Sequence, residues 1–398
     1  MYADFTSQQK ALRSEIRAYL SRIMTPEVRE KTRNRESGPE YRAVIRRLGE
    51  DGWLAPGWPE EYGGRGFDAI AQKIVLEELW LAQAPFPFVT VYTVGPALIR
   101  YGTEQQKRDI LPRIARGELL FAIGYTEPDA GTDLASLRTR AVRDGDEFVV
   151  NGQKIFTSGA EGADYIWLAA RTDPDAPRHR GITLMMVDTR SPGFSLTPIH
   201  TVGGVRTNVT YYKDVRVPVS MVVGEINGGW SVITEQLNHE RLGLAALSYA
   251  GCGCFDELLA WASGTHTLSG GRVIDEPQVQ LLLAEAYALL KASMAMTNRM
   301  AWEFAQGQVR PDYAAACKVF NTESLIEVYR LLQEAAGPAA LLPHGVPGAT
   351  LDGRLEEGYR QCQINTFGGG VNEVMRDIVA QVGLGLPRVA REVTREKK

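Results

Sequence analysis

Apolar residues recur every three to four positions through the first quarter of the chain: Leu12, Ile16, Leu20 and Ile23, then Tyr41, Val44, Ile45 and Leu48, then Ile70, Ile74 and Leu81. Such spacing collects each set on one helix face and predicts a helical unit from residue 5 to about 118. Gly, Pro and Trp break the pattern at DGWLAPGWPEEYGGRG (51–66) and APFPF (84–88). Thr103 with Gln106 reads as a capping box, opening a helix that carries Ile110, Leu111 and Ile114 inward. Near residue 121 the period falls to two. Short β-rich runs follow: FAIGYT, TRAVRDGDEFVVNGQKIF, YIWLAA, GITLMMVD, FSLTPIH and VTYY. Asp144-Gly145-Asp146 and Asn151-Gly152 supply residues that tolerate positive φ and predict tight hairpins. This middle stretch, about 121–226, predicts a small antiparallel barrel or sandwich. After Gly228-Gly229 the helical period returns over about 229–262, 277–306, 311–336 and 371–384. The order is helices, sheet, helices, without the alternation of a doubly wound sheet.

With 398 residues, the chain exceeds what one core usually organises. At 44% hydrophobic and 23% charged it has the composition of a globular protein. A net charge of −4 provides no basic field, which argues against nucleic acid or an anionic membrane surface as partner. Cys252, Cys254, Cys317 and Cys362 form no C-x-x-C pair, so neither a disulfide framework nor a zinc site is expected, and five scattered histidines suggest no metal. The first residues, MYADFTSQQK, lack a secretory pattern, and the apolar run Leu242 to Phe255 is too short to span a bilayer. The expectation is a cytoplasmic protein that does not engage a membrane.

The usual fingerprints of Rossmann dehydrogenases, P-loop NTPases, zincins and serine hydrolases are missing. Two runs remain. G-Y-T-E-P-D-A-G-T-D (124–133) leaves a strand, turns through Pro128 and brings Ala130-Gly131-Thr132 where backbone amides could approach a phosphate or a ring; read alone, it is equally a surface turn capped by Thr and Asp. N-G-Q-K-I-F-T-S-G (151–159) places one aromatic beside two hydroxyls, which on its own also describes a core Phe.

Taken together, these runs resemble the acyl-CoA dehydrogenase family, over about residues 1–388. The resemblance implies an α-helical N-terminal domain (1–120), an antiparallel β-barrel middle domain (121–227) and an α-helical bundle C-terminal domain (228–398). It also implies FAD as cofactor. The first run matches T-E-P-x-A-G-S-D and implies that Ile123, Tyr125 and Thr126 line the flavin, with Gly131 and Thr132 near the FAD pyrophosphate and Thr132 also near the thioester. The second matches N-G-x-K-x-W-I-T-N and implies that Phe156, Thr157 and Ser158 cover the other side, Phe156 replacing Trp.

Family members remove the substrate α-proton with a glutamate while the β-hydride passes to flavin N5. The usual loop position falls within T-F-G-G-G-V-N-E (366–373) and is occupied by Gly369, with Asn372 and Glu373 among the implied cofactor contacts. The isovaleryl and long-chain branches use L-E-R-L on a helix, and H-E-R-L at 239–242 implies Glu240 as base, with Asn238 and Arg241 contacting substrate. Stretches 267–275 and 333–339 depart from the motifs by which homotetramers complete each other's FAD sites. The pattern is similar to the glutamate-bearing subunit of heterotetrameric actinobacterial steroid side-chain acyl-CoA dehydrogenases. It implies a distinct dehydrogenase-like partner chain in an α2β2 assembly, an acyl-CoA substrate, and an electron-transfer flavoprotein as acceptor. A non-catalytic subunit that stabilises a catalytic partner is the alternative.

Overall fold

The computed structural model describes residues 4–244, 248–308 and 310–388, without the side chains of 237–244 and 248. Helix α1 (Ser7–Ile23) starts at a capping box in which Thr6 and Gln9 satisfy each other's backbone N–H, and it buries Ile16, Tyr19 and Leu20. Helices α2 (Pro26–Thr32) and α3 (Pro39–Glu50) follow, α3 burying Tyr41, Val44, Ile45 and Leu48 as their spacing predicts. Helix α4 (Ala69–Leu81) departs from a one-faced pattern, since Lys73 through Leu79 are all buried. Its charges are matched inside: Lys73 and Arg13 bond Glu77, and Arg17 grips Glu78 with two 2.8 Å hydrogen bonds. Burial pushes the Lys73 ammonium down to about 7. A wide π-type turn (Val89–Val94) leads into α5 (Gly95–Tyr101), and α6 (Glu104–Ala115) opens on the predicted box, with Thr103 Oγ1 accepting from Gln106 N at 3.2 Å.

The middle segment forms one eight-stranded sheet: β1 (Phe121–Gly124), β2 (Arg140–Asp144), β3 (Glu147–Lys154), β4 (Tyr165–Arg171), β5 (Ile182–Asp188), β6 (Phe194–His200), β7 (Arg206–Pro218) and β8 (Val222–Val223). Its order is β6-β7-β3-β2-β4-β5-β8, with β1 beside β4. Most pairs are antiparallel. The exceptions are β1–β4, parallel from Phe121–Tyr165 to Gly124–Leu168, and the single parallel contact Arg140–Arg171. Gly145, at φ 62°, closes the predicted β2–β3 hairpin. Asn151-Gly152 makes no hairpin. It forms a bulge within β3, where the register against β7 slips and a Cβ on Gly152 would lie 2.6 Å from Thr139 Oγ1. Strand β4 is apolar on both faces: Trp167 and Ala169 join the core under the N-terminal helices, while Ile166, Leu168 and Ala170 join the core on the sheet's other side.

The C-terminal helices are α7 (Gly229–Leu244), α8 (Ser248–Gly264), α9 (Pro277–Ala305), α10 (Pro311–Ala336), α11 (Arg354–Cys362) and α12 (Asn372–Ile378). Helix α10 is central and packs on α7, α8, α9, α11 and α12. Helix α9 is long and apolar enough to cross a membrane by length and composition. Here it is a bundle helix against α10, α4 and α8. Polar ties cross the segments: Arg33 bonds Glu357 at 2.6 Å, and His344 bridges Glu30 (3.1 Å) and Asp352 (2.9 Å).

Candidate functional site

The two motif runs are welded into one floor by a buried ion pair. Lys154, fully buried, donates to the Tyr125 carbonyl (2.9 Å) and to Glu127 Oε1 (2.8 Å). Glu127 also accepts from the backbone N–H groups of Arg138 (2.6 Å) and Thr139 (2.8 Å), and Ile155 N–H bonds the Thr126 carbonyl at 2.8 Å. Burial lowers the Lys154 pKa to about 8. For Glu127, burial acts upward, but the charge and hydrogen bond of Lys154 with the Thr139 bonds outweigh it and hold the carboxyl below its usual range. The β-strand before Phe156 therefore enters the site with its backbone fixed.

Phe156 then turns into the left-handed region (φ 60°), rare for an aromatic, and presents its ring 60% exposed. The next residue locks that turn. Thr157 N–H bonds the Asn208 carbonyl (2.9 Å), the Thr157 carbonyl accepts from Asn208 Nδ2 (3.1 Å), and its hydroxyl meets Thr210 at 3.3 Å. Ser158 Oγ lies 3.0 Å from Thr207 Oγ1.

Not every expected contact points outward. Ile123 and Thr126 are half-buried on and just beyond β1, and Gly131 and Thr132 are exposed, with open space where a Cβ on Gly131 would lie. The Tyr125 side chain turns inward, where its hydroxyl lies 3.0 Å from both Gln236 Oε1 and Trp167 Nε1. Thr157 is likewise fully buried, with its hydroxyl already engaged. Asn372, 2% exposed, accepts from Lys318 Nζ through Oδ1 and donates through Nδ2 to Thr322 and Glu323, whereas Glu373 is exposed. Asn238, Glu240 and Arg241 belong to α7, but their side chains lie outside the described residues.

Sequence reasoning passed over Lys154, Glu127, Gln236 and Lys318. For Lys154 a signal existed: it is a lysine at an inward position of a period-two run. Nothing local marks Gln236, whose Oε1 also accepts from Trp167 Nε1 at 3.0 Å while its Nε2 has no partner among the described residues.

Away from the motif strands, a cleft of about 470 Å³ opens between the 56–59 loop, α4, α5 and the end of α9. Trp58, Tyr92, Pro96, Ile99 and Phe304 make its walls apolar and aromatic, with Arg100 at its edge. Arg100 and Tyr101 both bond Glu235 on α7, so the cleft adjoins the helix that Gln236 ties to Tyr125.

The exposed Phe156 ring, the half-buried Thr126 and the buried Asn208 Oδ1, which has no partner among the described residues, fit a flat aromatic group with polar edges, as a flavin is. The chain matches three family descriptions in order: Acyl-CoA dehydrogenase, N-terminal domain (residues 6–118), middle domain (122–215) and C-terminal domain (227–384). It is 50% identical to acyl-CoA dehydrogenase FadE26 of Mycobacterium tuberculosis, covering 98% of this chain and 100% of that protein. A solved Tcur3481-Tcur3483 steroid ACAD chain superposes with TM-score 0.93 at 50% identity, over 98% of this chain and all of that one. A chain of the ChsE4-ChsE5 complex from Mycobacterium tuberculosis does so at 0.92 and 51%, with the same coverage. With all three domains matched in sequence and fold, the chain belongs to the acyl-CoA dehydrogenase family and is an acyl-CoA dehydrogenase.

Proposed function

We propose that this chain carries out FAD-dependent α,β-dehydrogenation of a bulky, ring-bearing acyl-CoA such as a steroid side-chain thioester, with Glu240 as the base. The observation that carries the reading is the Gln236–Tyr125–Trp167 node. It ties α7, the helix on which Glu240 follows Gln236 by one turn, to the residue that precedes Thr126 in the flavin-type run. The flavin, when bound, accepts the hydride; Phe156, Thr126 and Ser158 would hold it. The loop at 366–370 offers no carboxylate, so the α-proton goes to a side chain from elsewhere. Asn238 and Arg241 contact the CoA thioester in this reading, together with Thr132.

A ring-bearing acyl group is proposed from the relatives described as steroid ACADs rather than from a pocket on this chain. A distinct dehydrogenase-like partner completes the assembly: the solved relatives carry two chain names each, and Arg272, in the stretch where homotetramers use a clamp, is held by its own Asp275 at 2.9 and 2.7 Å. An electron-transfer flavoprotein takes the electrons in the cytoplasm, where the free thiols of Cys252, Cys254, Cys317 and Cys362 stay reduced.

The test is Glu240→Gln in the co-expressed complex. Flavin content should stay unchanged while substrate-dependent bleaching slows by about 10²–10⁴-fold, the usual contribution of a general base. Full activity in that variant removes the assignment.

A further inference from the structure

Helix α10 buries a third lysine, which the scheme above leaves unused. Lys318 is 3% exposed, and its ammonium donates to the carbonyls of Thr366 (3.2 Å) and Gly370 (2.6 Å) and to Asn372 Oδ1 (2.7 Å). An ammonium has three N–H donors, and these three oxygens all come from one seven-residue segment. Two of them bracket a five-residue loop whose middle stands clear: Phe367 is 59% exposed, and Gly369 and Gly370 sit at φ 65° and 99°. Glycines leave such a loop with little shape of its own, because positive and negative φ are about equally accessible to them. At its start, Phe367 N–H and Gly368 N–H bond the Ile364 carbonyl (3.1 and 2.7 Å), and Lys318 holds the two ends together. Asn372 extends the grip along the same helix, donating to Thr322 Oγ1 (3.1 Å) and Glu323 Oε1 (3.0 Å).

The helix that leads into the loop is tied to the sheet segment. This helix, α11, bonds the Val202 carbonyl through Arg360; from there β7 runs into Thr207 and Asn208, the partners of Ser158 and Thr157.

We propose that Lys318 is a positioning residue for the reaction: by stapling both ends of the 366–370 loop it fixes the wall that Phe367 and Gly369 present to the flavin and the thioester. This rests on the reading above. Arginine cannot replace it, since a planar guanidinium does not direct three donors to a converging set of oxygens.

The test compares wild type, Lys318→Met, Lys318→Arg and Asn372→Ala as full chains co-expressed with the partner. In Lys318→Met, amide exchange in 364–373 should speed up at least ten-fold with the other helices unchanged. The visible flavin band should shift, and kcat per bound flavin should fall at least ten-fold with a smaller change in KM. Lys318→Arg should not restore the band. Asn372→Ala, which keeps two of the three oxygens, should fall between. Lys318→Met with a lowered Tm but an unaltered flavin band and kcat per flavin would overturn the proposal, as would full rescue by Lys318→Arg. If Lys318→Met yields no folded complex, Asn372→Ala decides by the same readouts: a wild-type band and kcat overturn it. A wild-type complex that oxidises no acyl-CoA defeats the functional reading, and the exchange and band shift still decide on Lys318.

Discussion

Lys154 and Lys318 are both sealed from water, and they hold two different parts of the molecule in different ways. Lys154 lies among strands already fixed by ladder hydrogen bonds, and it pairs with Glu127, a carboxylate that also caps two backbone N–H groups. Lys318 lies on a helix and draws in oxygens from a segment of glycines. The first site has a shape before its lysine is added, so the lysine mainly compensates charge. At the second, bonds to the Ile364 carbonyl shape only the start of the segment, and the lysine holds its two ends together. The contrast separates stability from positioning: loss of Lys154 should act on the fold, loss of Lys318 on a loop.

The most disruptive way to break that contrast is Lys154→Met. It leaves Glu127 buried without the charge that offsets its burial, and removing one member of a buried pair costs about 3–5 kcal/mol. Urea denaturation should show a loss of that size, and a double replacement with Glu127→Leu should recover part of it; no loss would mean that the pair contributes nothing to the fold. Smaller, and aimed at the joint between the flavin-type run and α7, is Tyr125→Phe. It deletes a hydroxyl shared by Gln236 and Trp167, and about 1–2 kcal/mol should be lost by the same measurement. If stability is unchanged, the node is not a tie.

The smallest effect is one of pH. His344, between Glu30 and Asp352, has its pKa raised, chiefly by the hydrogen bond to Glu30, with Arg33 nearby acting against it. A raised value in the folded state means that the stabilisation is complete below the ordinary histidine pKa of about 6.5 and is lost as pH rises through the folded value. A Tm series from pH 6 to 8.5 should fall slightly more in wild type than in His344→Asn. Parallel curves would remove His344 as a contributor.

Much of the architecture was readable along the chain because it depends on local rules. The capping box at Thr103, the span of α10 and the alternation in β2 and β3 need no distant partner to be recognised. What escaped depends on distant partners. Helix α4 has Ile70, Ile74 and Leu81 at helical spacing, but Lys73, Glu77 and Glu78 are buried as well, because Arg13 and Arg17 of α1 reach them from 60 or more residues away. Asn151-Gly152 has the composition of a hairpin turn, yet the cross-strand demand of β7 and the closeness of Thr139 make it a bulge. At the site, Phe156 and Ser158 are exposed. Tyr125, Thr157 and Asn372 turned inward because α7, β7 and α10 supply partners that no spacing rule announces.

The left-handed backbone of Phe156 also bears on what else could stand there. Its direction is set by bonds on the following residue, Thr157, and does not depend on what the ring itself touches. The position therefore works as a socket, in which tryptophan or tyrosine would project along the same line and enlarge the stacking surface without rebuilding the strand. A β-branched residue would resist the turn and withdraw the platform altogether.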